Sequence, residues 1–375
     1  MSNHVQPTVA VIGGGVIGVS SACHLARSGA KVYLVTAAAL GSGASGRSLS
    51  WINAAGIRSE NYHQFRMAGI DRYRTLLARE PALGWLRFDG GLRWQRPGES
   101  NLLGEIHAHE VAHGYDSRVL TPDDIRARMS GVDESAVPAS GAIWNPGEGW
   151  VDLPSLINDL ANELVHLGGT LVTHAGEASV TVRAGCVTAI KTENHGAIAV
   201  QAALLATGSN VPKMASEFGI TIPDATTTAL LINTRPLQSP LRVVLNTPRV
   251  SLRPTPNGAL AVDADWAESR IERRADGTYD VGAETIKELL VEASRVLAGR
   301  PQLAAATYGI GPKPIPGDGE PVLGQLGDIS GLYVAFTHSG ATLALIIGEL
   351  LAYEIMTGRS HPLLAPFAAS RFGAG

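Results

Sequence analysis

The sequence predicts an α/β fold in which a Rossmann-like domain, assembled from separated stretches of chain, carries a second domain built on antiparallel sheet. Three observations predict it. Residues 8–36, TVAVIGGGVIGVSSACHLARSGAKVYLVT, read as strand, glycine turn, helix and strand. The C-terminal part returns to that style with GLYVAFTHSGATLALIIGELLAYEI. Between them, from about 211 to 300, short strands alternate with Pro/Gly turns around one helix. That is the composition of an antiparallel sheet rather than of further βαβ units.

Gly13, Gly15 and Gly18 form G-x-G-x-x-G directly after the apolar run Val9 to Ile12. In such a unit the first glycine makes a tight turn and the second lets backbone approach a pyrophosphate. The third lets the helix pack close to the strand, and the helix N-terminus favours the phosphates. Placed before an apolar helix closed by Gly29 and a second strand Val32 to Val35, the motif points to a dinucleotide. The fingerprint also calls for Asp or Glu about 20 residues past the glycines, to accept from a ribose hydroxyl. Thr36 stands there, and the first carboxylate of the chain is Glu60, so no slip of register supplies the acid. A threonine hydroxyl is a weaker partner than a charged acceptor.

The next stretch, GSGASGRSLSWINAAG from Gly41 to Gly56, is small and polar with Arg47 alone charged, which suits backbone and hydroxyls lying against a ligand. A helix is predicted over Tyr62 to Leu77, strand-like chain over GWLRFDGGLRWQR, and a polar helix from about Gly98 to Gly114. Val151 to Leu167 is amphipathic and ends at Gly168-Gly169. Strands follow at Thr170 to Thr173, Ser179 to Val182 and Val187 to Thr192, and AALLATGSN reads as a buried strand entering a glycine turn. A further helix is expected over Ala283 to Leu297. Ala341 to Ala352 is apolar but short and carries Glu349, so it reads as a buried helix rather than a membrane span.

Composition bounds the function. A chain of 375 residues is long enough for two domains or one large α/β unit. Thirty Lys and Arg against 34 Asp and Glu give a net charge of −4, which argues against a general nucleic-acid or membrane-surface binder. Cys23 and Cys186 are the two cysteines, and neither belongs to a C-x-x-C pair. That excludes a disulfide scaffold and fits a reducing cytoplasm. The polar start MSNHVQP lacks the charged region of a signal peptide.

One motif competes with this reading. His109-Glu110-Val111-Ala112-His113 spells H-E-x-x-H, which on a helix can place two imidazoles on zinc and a carboxylate on its water, with Glu134 as a third ligand. The surrounding ESNLLGEIHAHEVAHGYD is polar on most of its surface and offers no apolar cover for a dry hydrolytic site. The dinucleotide-binding reading accounts for most of the chain, so no metal is assigned.

Taken together, GGGVIGVSSACHLARSGAKVYLV, GSGASGRS, VDLPSLINDLANELVHLGG, LLATGSN, KPIPGDGEPVLG and GLYVAFTHSGATLALIIGELLAYEI resemble, in order and over nearly the whole chain, the FAD-dependent D-amino acid oxidase and glycine oxidase family. The resemblance implies an FAD domain over 1–85, 145–210 and 305–375, and a substrate domain over 86–144 and 211–304 whose antiparallel sheet roofs the flavin. It puts Gly13, Gly15, Val16, Ile17 and Gly18 at the FAD pyrophosphate and Thr36 at the adenosine ribose. Ser45, Arg47 and Ser48 would lie along the phosphates and ribityl chain, and Ala206, Thr207 and Gly208 beside the adenosine half. His338, Ser339, Gly340, Ala341 and Thr342 would border the flavin ring, where a helix start can stabilise the charge of the reduced ring.

Many relatives carry an arginine ahead of the DG turn that grips a substrate carboxylate. Here the matching residue is Lys313, a point charge without the fork. Lys313 and His338 are the candidate catalytic residues, with Arg253 in SLRPTPNGALAV as a further cation on the roof. The implied reaction is hydride transfer from the C–N bond of a small amino acid or secondary amine to flavin N5, by an amine oxidase or dehydrogenase. The alternatives are the same chemistry on a 2-hydroxy acid, and a non-catalytic flavin-binding subunit. Oxygen, a quinone or a protein would accept the electrons, and homo- or hetero-oligomers are compatible with the chain.

Overall fold

The computed structural model describes residues 6–96 and 100–373. The chain divides into unit 1, residues 1–46, 153–227 and 312–375, and unit 2, residues 47–152 and 228–311. Unit 1 is assembled from three stretches of chain, with other boundaries than those the resemblance implies for the FAD domain. The segment 47–85, assigned by resemblance to the FAD domain, belongs to unit 2, as does 145–152, whereas 211–227 belongs to unit 1. The physical reason is pairing: Trp51–Ile52 and Leu86–Arg87 both lie against Gly149–Val151 in a small sheet of unit 2.

Unit 1 is built on a six-stranded sheet. Its parallel centre is β1 (Thr8–Ile12), flanked by β2 (Lys31–Val35) and β13 (Ala202–Leu205), with β9 (Thr170–Val172) and β22 (Leu332–Phe336) outside them. The edge strand β21 (Val322–Gln325) runs antiparallel to β22. Val9 to Ile12 of β1 and all of β22 are apolar and buried because both faces of the sheet are covered. One face packs on α1 (Val16–Arg27), α5 (Leu153–His166) and α9 (Gly340–Thr357). The other is covered by the meander β10 (Ala178–Arg183), β11 (Cys186–Thr192) and β12 (Gly196–Ala199), together with α6 (Val211–Ser216). Arg27 in the last turn of α1 pairs with Glu163 of α5 at 2.6 and 2.5 Å, a cation at the negative helix end. Helix α9 is long and apolar enough to cross a membrane by length and composition, yet Leu343 to Gly348 are buried inside unit 1. It touches α1 so closely that a Cβ on Gly348 would stand 2.4 Å from Ser20 Oγ.

Unit 2 centres on an eight-stranded sheet in the order β20 (Ala305–Lys313), β14 (Thr227–Thr234), β17 (Leu260–Asp263), β16 (Ser251–Pro254), β15 (Val244–Asn246), β5 (Gly91–Arg93), β7 (Ala142–Asn145), β6 (Arg118–Leu120). Cross-strand register puts Ile232, Val262, Leu252, Leu245, Leu92 and Trp144 on one face. That face packs on α4 (Pro122–Arg128), α7 (Asp265–Glu268), α8 (Ala283–Arg295) and the hairpin β18 (Ile271–Arg273), β19 (Tyr279–Val281). Alternation sends Asn233, Arg253, Asn246, Arg93 and Asn145 to the opposite, polar face. Over the polar side lie the segment 47–58, α2 (Glu60–Arg79), α3 (Ser100–Ala112) and the sheet of β3 (Trp51–Ile52), β4 (Leu86–Arg87) and β8 (Gly149–Val151). The polar helix expected from about Gly98 is α3, with residues 97–99 outside the described chain.

Candidate functional site

In unit 1 the glycine turn is fixed by packing before any ligand arrives. Gly13 has φ +128°, its amide donates to Val35 O at 2.8 Å, and a Cβ there would meet Ala206 O at 2.2 Å. A Cβ on Gly18 would meet Gly13 O at 1.9 Å, which is the close helix and strand approach its place in the motif requires. At Gly15 the nearest atom is Ser45 Oγ at 3.2 Å. The same hydroxyl accepts from Val16 N at 3.0 Å and so caps the first amide of α1. Gly41 N donates to Gly14 O at 2.9 Å, which draws the 41–46 loop over the turn.

A second helix start lies beside the first. Ser339 stands at the N-cap position of α9, its amide donating to Thr337 Oγ1 at 3.1 Å. A Cβ on Gly340 would stand 3.6 Å from both Val16 Cγ1 and Ile17 Cδ1. The positive ends of α1 and α9 therefore converge, with Ser45, Ser339 and Thr342 hydroxyls at or next to them. Ser339 and Thr342 are buried, and His338 is exposed. Ala206 N donates to Ile12 O at 2.8 Å, Thr207 Oγ1 meets Met214 Sδ at 3.4 Å, and Gly208 turns at φ +62°. Thr36, 5 % exposed, directly follows β2 with its side chain against Gly14: a Cβ on Gly14 would come 2.7 Å from Thr36 Oγ1.

Still in unit 1, the segment after β20 is held firmly. Ala225 N donates to Ile315 O at 2.9 Å, Gly317 N to Pro223 O at 2.8 Å, and Arg371 grips Asp318 at 2.8 and 3.1 Å. Lys313, half-buried, is the last residue of the strand leading into it. The chemistry of this donor set, two converging helix N-termini with a glycine turn and hydroxyls, fits a dianionic pyrophosphate and an electron-rich ring. The residues present fit FAD.

Unit 2 contains Arg253, 3 % exposed beneath the Trp150 ring at 5.1 Å. Its Nε donates to Leu49 O and its Nη1 to Pro254 O at 2.8 Å, with Asp152 Oδ1 at 3.9 Å. Burial pushes its pKa down to about 10. Through these bonds Arg253 pins the 47–52 segment to the sheet. Arg47 lies in the same unit across β20: a Cβ on Gly309 would meet Arg47 Cγ and Cδ at 2.8 Å, and one on Gly311 would meet its Nη2 at 2.4 Å. The structure thus seats Arg47 on the strand of unit 2, while Ser45 and Gly41 reach the glycine turn. Sequence reasoning missed this seat. The signal was the period-two pair Gly309 and Gly311 inside a strand, which marks a close approach.

The H-E-x-x-H reading is overturned. Glu110 is fully buried and its carboxylate accepts from Gly56 N at 2.8 Å and Asn145 Nδ2 at 3.0 Å. His109 Nε2 accepts from Arg58 N at 3.3 Å, His113 Nδ1 bonds His109 O at 2.8 Å, and Glu134 pairs with Arg126 at 2.9 Å. Among the described residues no group of three or more metal-binding side chains forms. The motif ties α3 to the 54–58 segment instead.

Residues 8–354 match the family model of FAD-dependent oxidoreductases of the DAO type. The chain belongs to this DAO family. It is an FAD-dependent oxidoreductase. It is 24 % identical to a subunit of the opine oxidase of Agrobacterium tumefaciens over 97 % of each chain. The solved glycine oxidase of Geobacillus kaustophilus superposes with a TM-score of 0.81 at 21 % identity, covering 98 % of this chain and 99 % of that one. L-proline dehydrogenase from P. horikoshii does so with 0.79 at 20 % identity, over 98 % of both. Both structures share the fold.

Proposed function

We propose that the protein oxidises the C–N bond of a small amino acid or secondary amine. The observation that carries the reading is the convergence of the α1 and α9 N-termini in unit 1, with Gly340 against Val16 and Ile17. Bound FAD supplies a two-electron acceptor for the hydride leaving the carbon, while the nitrogen lone pair forms the C=N bond of an iminium that water then hydrolyses to carbonyl and amine. The chain's own residues position and shield. The start of α9 offers its amides and dipole to developing negative charge. Lys313 presents an ammonium that orients an anionic substrate group. No side-chain base is required when the amine arrives neutral, so the buried hydroxyls at Ser339 and Thr342 suffice as polar lining. The glycine oxidase, L-proline dehydrogenase and opine oxidase likenesses support a nitrogen-bearing carbon.

The test is anaerobic mixing of FAD-loaded protein with a panel of amino acids, secondary amines and 2-hydroxy acids. Bleaching by nitrogen compounds, with recovery of the carbonyl product, is expected. Bleaching by hydroxy acids alone would replace this reading with alcohol oxidation.

A further inference from the structure

We infer that Arg58 and Arg93 form an anion site within unit 2 that takes the carboxylate of a small ligand. Every residue of the site lies in the 47–152 stretch, on α2, α3, β5, the turn before β8 and the 53–58 segment. Three guanidiniums share this neighbourhood. Arg58 and Arg66 each stand 5.4 Å from the centroid of the Tyr62 ring. Arg93 reaches the same segment from β5, where a Cβ on Gly56 would stand 3.6 Å from its Nη1. Two buried carboxylates lie among them. Glu110 accepts from Gly56 N and Asn145 Nδ2 and stands 3.7 Å from Arg93 Nη1, and Glu148 accepts from Tyr115 and Trp51. Among the described residues no carboxylate pairs with Arg58; Glu60, two residues on, is exposed and accepts from Gln64 at 3.1 Å.

Cations therefore outnumber anions in a poorly hydrated layer, an arrangement that is costly until a further anion enters. Unfilled donors remain for that anion. Arg58, half-buried, spends Nε on Ala55 O at 2.9 Å, while its Nη1 and Nη2 have no hydrogen-bond partner among the described residues. Arg93 Nε is buried and likewise unpartnered among them. Burial, then the Arg66 and Arg93 charges, push the Arg58 pKa down to about 10, with Tyr62 and Glu148 acting in the opposite sense. The terminal nitrogens of one guanidinium match the two oxygens of a carboxylate. The choice of a carboxylate rests on the amino acid and amine reading above, whereas the unfilled donors do not.

The experiment measures calorimetric binding of benzoate, benzamide and sulfate to FAD-loaded protein. Benzoate and benzamide share a shape and differ in charge, and the parent should prefer benzoate to both other probes. Arg58→Met should weaken benzoate about ten-fold or more, and Arg58→Lys by less, because it keeps the charge and loses the fork. Arg74→Met, which removes an exposed arginine elsewhere in unit 2, should change it by less than about two-fold. Unchanged benzoate affinity in Arg58→Met overturns the inference, as does an equal loss in Arg74→Met, which would make the effect one of net charge. A ten-fold loss of FAD affinity in Arg58→Met overturns it also, since Arg58 would then serve the cofactor. Benzamide binding as tightly as benzoate removes the anion site, and sulfate doing so removes the carboxylate. If Arg58→Met fails to fold, Arg58→Lys decides, and unchanged affinity there overturns the fork. A matching rise in the amino acid concentration that half-saturates flavin reduction makes the carboxylate the substrate's; no rise assigns it to a separate ligand of the same site. Should no amine reduce the flavin while benzoate still depends on Arg58, the amine reading fails and the site stands.

Discussion

Tyr115 donates its phenol to Glu148 across 2.6 Å in the polar layer of unit 2, where both residues are buried. Trp51 Nε1 donates to the other carboxylate oxygen at 2.8 Å, and Ala54 N donates to the Tyr115 oxygen at 3.0 Å. The pair therefore ties both ends of the Trp51–Ala54 segment to the turn between β7 and β8.

Burial pushes the Glu148 carboxyl from its ordinary 4.5 up to about 8, the buried Glu110 adding to the rise against the Tyr115 bond. A folded-state pKa above the unfolded one gives a contribution fully present below about 4.5 and lost as pH rises through about 8. Melting temperatures of the wild type should thus decline across that window relative to Glu148→Gln, which keeps an oxygen for Trp51 and cannot ionise. Parallel curves for the two proteins would refute the raised carboxyl.

Gly348 governs the crossing of α1 and α9. A Cβ there would stand 2.4 Å from Ser20 Oγ and 2.8 Å from Ser20 C. Gly348→Ala should cost about 1–3 kcal/mol by overpacking. Ser20→Ala in the same chain should recover part of it, because the backbone clash remains when the hydroxyl is gone. Chemical denaturation reads both effects, and full recovery would show that the hydroxyl alone sets the crossing.

Much of the fold is legible in sequence where a periodicity has one structural outcome. The G-x-G-x-x-G turn, the amphipathic Val151 to Leu167 stretch and the C-terminal strand and helix report themselves through local spacing. The helix at 153–166 starts two residues late because Gly149–Val151 is needed as a strand between β3 and β4. The same long-range pairing moves residues 47–85 out of the nucleotide unit, and no local pattern encodes it. The partners of H-E-x-x-H are hidden for a related reason: spacing cannot show that Glu110 accepts from the Gly56 amide. The resemblance groups Arg47 with Ser45 and Ser48 along the phosphates, and no local pattern encodes that its side chain packs along a strand more than 260 positions away in sequence.

Thr36 occupies the place of the missing ribose acid. Thr36→Glu should tighten FAD binding by about ten-fold, the scale of one charge-assisted hydrogen bond of ~1.5–3 kcal/mol. Fluorescence titration of apoprotein with FAD measures it. Equal or weaker affinity would remove Thr36 from the ribose.

Lys313→Met should lower kcat/KM for the best substrate by about ten-fold through loss of one charged contact. Lys313→Arg should also change KM, because a fork and a point charge fit differently. Steady-state kinetics that match the parent in both variants would leave Lys313 with a structural part only.

The central claim, that a hydride leaves a carbon bearing nitrogen, is tested most directly by single-turnover flavin reduction with the best amine deuterated at that carbon. The account predicts reduction several-fold slower than with the protiated compound, and no comparable slowing when deuterium is confined to nitrogen. Equal rates for the carbon-deuterated and protiated amines, with chemistry shown to limit the step, would contradict it.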